Sequence, residues 1–268
     1  MSPLLATVVL DGERVQVDLA GGIDAGHGVR FGRSEVGAFS LPAARREPVT
    51  LGSFVGSVAR GGSVNCEELV LFPHGNGTHT ECIGHILHDA RPVSSLTPPG
   101  LIPARVVSAR PMPLEQSGER YGGNHRSDDL VISAKALAPV LGQRGLLSGW
   151  ALVVRSGVGI RDHSGSNPPY FTDDAMQLID DSGTSHLLTD LPSLDRENDG
   201  GSLSAHRIFW GVQAHSAVST GEKGQRTVTE LCRLDELAEG RYLLSLQIAP
   251  LESDAAPSRP LFFPVLPT

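Results

Sequence analysis

Three histidines and a carboxylate fall within the twelve residues His74-Gly-Asn-Gly-Thr-His-Thr-Glu-Cys-Ile-Gly-His85, and His88 follows three residues later. Imidazoles and carboxylates are the common protein ligands of zinc and of manganese-like ions. The interleaved glycines suit a backbone that bends tightly to aim them. If the stretch is extended, His79 and Glu81 project to one face, and Thr80 and Cys82 to the other, because side chains alternate along a strand. The chemistry on offer is a metal or acid/base site; the plainer reading is a histidine-rich surface turn. Cys82 adds the option of a thiol nucleophile beside His79 or His85, although alternation turns it away from Glu81 and a buried thiol is often inert.

The elements that must position this cluster are short. Gly (31) and Pro (19) are abundant in a chain of 268 residues, which predicts many turns and short strands. Residues 4–10 and 14–19 read as a hairpin about Asp11-Gly12. Residues 20–50 read as a long, irregular loop that covers a site or reaches a neighbouring subunit. Val64–Phe72 is strand-like and runs straight into the cluster, and 101–108 reads as another strand. Ser133 caps a helix that Gly142 ends and that Pro139 limits. The apolar run 150–155 suits a buried central strand. Thr172 caps a second helix to Asp180, and His186–Thr189 reads as a strand. Residues 207–213 give a mixed signal, 216–227 a loop, 241–248 a late strand, 250–260 a turn-rich connection and 261–265 a terminal strand. No repeat or composition break appears, so one domain over 1–268 is expected.

Net charge is −8, which argues against nucleic acid and against an anionic membrane surface as partners. No apolar run is long enough to span a bilayer, the N-terminus reads as a strand rather than a signal peptide, and three cysteines without a CxxC pair suggest a reducing compartment, by default the cytoplasm. G-x-S-x-G, P-loop and H-E-x-x-H patterns are absent.

The cluster resembles the signature H-x-G-T-H-x-D-x-P-x-H of the bacterial kynurenine formamidase, or putative cyclase, family. Gly77-Thr78-His79 stands at its G-T-H and His85 keeps the family's distance. Downstream, Asp190–Asp195 is similar to the family's D-x-P-S-x-D, Ala205-His206-Arg207 to the histidine after it, Thr229-Glu230-Leu231 to a later glutamate strand, and Pro250–Pro260 to its closing segment. The resemblance implies an α/β protein, a compact β/β/α (swivelling-type) fold with a mixed, barrel-like sheet and flanking helices, assembled as a homodimer or homotetramer. It implies one or two divalent ions, zinc first and manganese second. His74, His79 and Glu81 would hold the first, and Glu81, His206 and Glu230 the second, with His85 as the catalytic acid/base. The implied activity is hydrolysis of a small amide (a formamide, a lactam or a related cyclic amide), with N-formylkynurenine as the reference substrate. Thr78 or a backbone carbonyl would fix the ligand tautomers, and Asp190 and Asp195 the backbone around Pro192. Three positions depart from the signature. His74 lies one residue further from His79 than the pattern, so that a bulge at Gly75-Asn76 is needed to bring it back; Glu81 replaces aspartate; and Ile83-Gly84 replaces the proline region. The competing readings are a non-catalytic metal- or small-molecule-binding relative, and a metal-independent hydrolase or lyase using His85.

Overall fold

The computed structural model describes residues 2–33, 35–88, 90–96, 100–213 and 222–266. Its centre is an eight-stranded sheet in which the short Ile23–Asp24 strand adds to seven that form a barrel: β1 (His79–Cys82), β2 (Ile102–Ser108), β3 (Ala151–Arg155), β4 (His186–Thr189), β5 (Thr227–Glu230), β6 (Gly240–Ile248) and β7 (Ala255–Pro264). The order is β6-β2-β3-β4-β5-β1-β7, and β7 pairs back onto β6, closing the sheet into a barrel. Strands β2 to β5 run parallel to one another; β1, β6 and β7 join antiparallel. The resemblance's mixed, barrel-like α/β fold is therefore the one observed.

Alternation along the parallel strands explains the two main cores. Leu152, Val154, Leu187 and Val228 face outward onto three helices: α1 at Ala134–Leu141, α2 at Asp173–Ser182 and α3 at Ser204–Trp210. The intervening residues Ala151, Val153 and Leu188 join Leu244, Leu246 and Phe262 on the opposite face, inside the barrel. Both faces of β3 are thus covered, as its near-continuous apolar run predicts. Ser133 and Thr172 accept hydrogen bonds from the amides of Ala136 and Ala175, so both expected caps form.

Three sequence expectations need correction, and one mixed signal is resolved. Residues 20–50 are not one loop: Ile23–Asp24 pairs with β7, and Arg45–Pro48 pairs with Glu67–Val70 in a two-stranded ribbon. Ile208–Trp210, where the sequence signal is mixed, belongs to α3, whose Phe209 and Trp210 join the same buried cluster as Met176 and Val228. The turn-rich connection ends at Asp254, since Pro257 and Pro260 both sit within β7. Thr227, expected in a loop, opens β5, and residues 216–221 of that loop lie outside the described part.

Candidate metal centre

The site is built on the outer face of the barrel, beneath α3. His79 and Glu81 point out of β1 on this side, while Thr80 and Cys82 point the other way, as alternation requires. Thr80 Oγ1 bonds Thr229 Oγ1 at 2.8 Å, and Cys82 Sγ donates to the Arg91 carbonyl at 3.4 Å. Sheet register does the rest. Glu230 is directly opposite His79 in β5, and Ala255 is opposite Glu81 in β7. The first turn of α3 then places His206 over Glu81, with Nε2 2.9 Å from Glu81 Oε1 and 3.8 Å from Glu230 Oε1.

His74 arrives by a different device from the bulge that its spacing suggests. Residues Pro73–Asn76 form a single helical turn. Asn76 ties that turn down: its Oδ1 accepts from the Phe72 amide at 2.7 Å and its Nδ2 donates to the Pro42 carbonyl at 3.0 Å. Proline at the first helical position is preorganised for such a turn. Leu41 and Ala38 brace it from outside, where a Cβ on Gly75 would meet Leu41 Cδ1 at 2.8 Å. The extra residue is absorbed, and His74 Nδ1 reaches 3.2 Å from Glu81 Oε2.

Donor atoms within 4.8 Å of one another form two groups that share Glu81: His79, Glu81 and Glu230, and His74, Glu81 and His85. The resemblance implies a different division, with His74 beside His79. The helical turn carries the His74 ring to the other side of Glu81, where it lies 4.4 Å from the His85 ring, against 5.2 Å from that of His79. All six residues named from the sequence are brought together. His79, Glu81, His206 and Glu230 are buried; the His74 and His85 side chains keep 23% and 29% of their exposure, so the centre opens on their side.

Hydrogen bonding fixes what each imidazole presents inward. The Gly77 carbonyl accepts from His79 Nδ1 at 3.1 Å, and the Asp195 carboxylate faces His206 Nδ1 at 2.6 Å. Carbonyls and ionised carboxylates only accept, so both Nδ1 atoms carry hydrogen and both Nε2 atoms offer lone pairs. Those lone pairs face more acceptors. His79 Nε2 is buried, makes no hydrogen bond, and stands 3.3 Å from Glu230 Oε2. His74 likewise sits between Glu81 and Asp254, with Nε2 3.0 Å from Asp254 Oδ2. Acceptors set face to face in a buried site require positive charge between them, from a proton or a metal ion. The proton affinities agree. Burial pulls His74 down, but the hydrogen bonds to Asp254 and Glu81 outweigh it and push its pKa to about 10. Burial also opposes the charged forms of His206 and Glu81, yet His206 is raised by Glu81 and Asp195, and Glu81 is lowered by His85 and His206. The donor set therefore fits a divalent cation, in type, in number and in its deficit of positive charge.

Three supporting residues have other roles than the sequence suggests. Thr78 fixes no tautomer: its hydroxyl accepts from the His27 amide and donates to the Leu231 carbonyl, and the Gly77 carbonyl does that work instead. Asp195 does not brace Pro192. It accepts from the amides of Ala205 and His206, from Tyr121 Oη at 2.8 Å and from the His206 ring, while Asp190 holds the amides of Ser156 and Gly157. Asp254 is missed by sequence reasoning altogether; its one signal is an acid in the closing segment, one residue ahead of the strand that flanks Glu81. Residues between Leu114 and Ser127, with Asp173, line a separate cavity of about 700 Å³ that contains none of the candidate ligands. A groove of about 510 Å³ lined by Gly84, Leu87, Arg91 and Asp254 adjoins the centre.

Residues 18–196 match the family model described as "Putative cyclase". The chain belongs to the putative cyclase family. No curated protein matches it significantly. Solved structures share the fold of this cyclase-family chain at low identity. A potential metal-dependent hydrolase with cyclase activity is 16% identical with a TM-score of 0.61, over 92% of this chain and 98% of the other. A predicted metal-dependent hydrolase from Bacillus stearothermophilus is 16% identical with a TM-score of 0.56, over 90% and 97%. Isatin hydrolase A from Labrenzia aggregata, bound to benzyl benzoate, is 12% identical with a TM-score of 0.57, over 91% and 94%.

Proposed function

We propose that this chain is a metal-dependent hydrolase of a small amide, a cyclic amide or a formamide, with His85 as general acid/base. The observation that carries the reading is the set of imidazoles held between carboxylates, with the buried Nε2 of His79 facing Glu230 and no hydrogen bond to spend itself on. Zinc is the first candidate and manganese the second, because nitrogen and carboxylate oxygen are mixed in the donor set. His79, Glu81, Glu230, His74 and His206 would hold one or two ions. A divalent ion supplies, when bound, a Lewis acid that polarises a carbonyl and makes water nucleophilic near neutral pH.

The chain's own residues do the remainder. Asp195, the Gly77 carbonyl and the sheet register hold the imidazoles in one orientation before substrate arrives, so little reorganisation is left for the reaction. Glu81, with one carboxylate oxygen toward His206 and the other toward His74 and His85, ties the two donor groups together. His85, on the open side, takes a proton from the attacking water and delivers it to the leaving nitrogen. An imidazole suits both steps because its ordinary pKa is about 6.5. Burial pushes the Cys82 thiol up to about 11, which weighs against a thiolate nucleophile.

The lactam arm of the proposal draws support from the isatin hydrolase relatives, one of them bound to the product analogue thioisatinate. The formamide arm draws on the His74–His85 motif. Metal analysis of untagged protein, followed by a hydrolysis panel containing isatin, N-formylkynurenine and a simple ester, tests it. The expected result is near-stoichiometric divalent metal and turnover of at least one amide that a chelator abolishes. Full activity in a metal-free preparation would refute the reading.

A further inference from the structure

We propose that Asp254 is a positioning residue whose single carboxylate oxygen fixes the ring tautomers of His74 and His85 together, in opposite senses. The inference rests on the hydrolase reading for the role of His85. Asp254 Oδ2 lies 3.0 Å from Nε2 of His74 and 3.4 Å from Nδ1 of His85. An ionised carboxylate accepts and never donates, so both nitrogens that face it carry hydrogen. For His74 this leaves Nδ1 as the lone pair, and Nδ1 is the atom aimed at Glu81 Oε2. For His85 it leaves Nε2 free of both carboxylates, because Nδ1 is also the atom nearest Glu81, at 3.8 Å. One oxygen therefore turns His74 into a ligand through its δ nitrogen and His85 into an acid/base through its ε nitrogen. The same division of labour between an orienting carboxylate and a working imidazole underlies hydrolytic triads.

The placement of Asp254 is not a loop accident. Its carbonyl accepts from the Cys82 amide at 3.0 Å, and the next residue, Ala255, is in register with Glu81. The residue is thus locked to the strand that bears the ligands. Its side chain keeps 41% of its exposure and so contributes little to the core. Substitution is expected to alter the centre without unfolding the barrel.

Long-range proton–nitrogen NMR of the full chain reads the tautomers directly. With zinc bound, the expected result is His74 protonated at Nε2 and His85 protonated at Nδ1. His74 carrying its hydrogen on Nδ1 alone, or His85 on Nε2 alone, would overturn the proposal with no variant needed. In Asp254→Asn and Asp254→Ala, zinc affinity measured against a chromophoric chelator should fall roughly 10- to 100-fold. The His85 signals should show mixed tautomers, and kcat should fall more than KM rises. Asp254→Glu should recover part of each. Unchanged zinc affinity and unchanged His85 signals in Asp254→Ala would also overturn it. If the native protein binds no divalent metal, the hydrolase reading fails, while the tautomer of His85 in the metal-free protein still decides the role of Asp254.

Discussion

At Glu81 the two carboxylate oxygens take different partners: His206 on one side, His74 and His85 on the other. Glutamate in place of the signature's aspartate gives the arm a further methylene, and here that reach spans both donor groups. Glu81→Gln removes the shared charge, and we expect it to abolish metal binding measured by mass spectrometry of the native protein. His85→Ala should leave bound metal intact and lower turnover on the order of 10²- to 10⁴-fold, measured as kcat on the best amide of the panel. Loss of metal in His85→Ala would make His85 a ligand instead. Cys82 gives an independent check. Its thiol stays protonated until pH approaches about 11, so iodoacetamide near pH 8 should label exposed Cys66 and spare Cys82 and Cys232. Cys82→Ala should keep most of the activity, and a complete loss would revive the thiol mechanism.

At the scale of elements, the one-turn helix Pro73–Asn76 decides whether His74 belongs to the centre. Asn76 supplies both of its side-chain tethers and is buried. Asn76→Ala leaves the Phe72 amide and the Pro42 carbonyl unpaired, at a cost of about 1–3 kcal/mol. It should also weaken metal binding, because the turn that aims His74 loosens; denaturant unfolding and chelator competition would measure the two effects. Gly77 ends the turn at φ +153°, and a Cβ there would lie 2.7 Å from the His27 carbonyl. Gly77→Ala must displace either residue 27 or the Nδ1 acceptor of His79, and should be the more damaging of the two. Strand β1 is held between β5 and β7, so the candidate ligands it carries rest on paired backbone on both sides.

On the scale of the whole molecule, bound metal and charge pairs should both be visible in stability. An ion that binds only the folded chain at a thousand times its Kd adds about 4 kcal/mol. Chelation is thus expected to lower the melting temperature on the order of 10 °C. Away from the centre, buried Asp129 accepts hydrogen bonds from Arg196 Nε at 2.7 Å, from Asn167 and from Tyr170. Burial raises its pKa, but these partners win and hold it below the ordinary value. A carboxylate lowered in the folded state stabilises above its unfolded pKa, about 3.9, and loses that contribution as pH falls through the folded value. Asp129→Asn should therefore be less stable near neutral pH and show a shallower loss on acidification in urea titrations. The ribbon of Arg45–Pro48 and Glu67–Val70, with its tip, exposes Leu51, Val58 and Leu69. With the assembly that the motif resemblance implies, the expected mass in solution is that of a dimer or tetramer, and a monomer by sedimentation at micromolar concentration would refute it. Among the described residues no helix is long and apolar enough to cross a membrane.

Residue types and local period, read from the chain alone, determined that His79 and Glu81 share one face, both helix caps and the burial of β3, because each depends on neighbours a few positions away; His206 and Glu230 are named only through the motif resemblance. Strand alternation needs no knowledge of the partner strand. Tertiary structure alone decided how the candidate ligands divide about Glu81, that residues 250–260 contribute Asp254 and most of a barrel strand, and that Asp195 serves His206. The physical reason is sequence separation: the contacts of Asp254 with His74 and His85 span 180 and 169 residues. Contacts of that range are set by barrel closure and strand register, which no local pattern records.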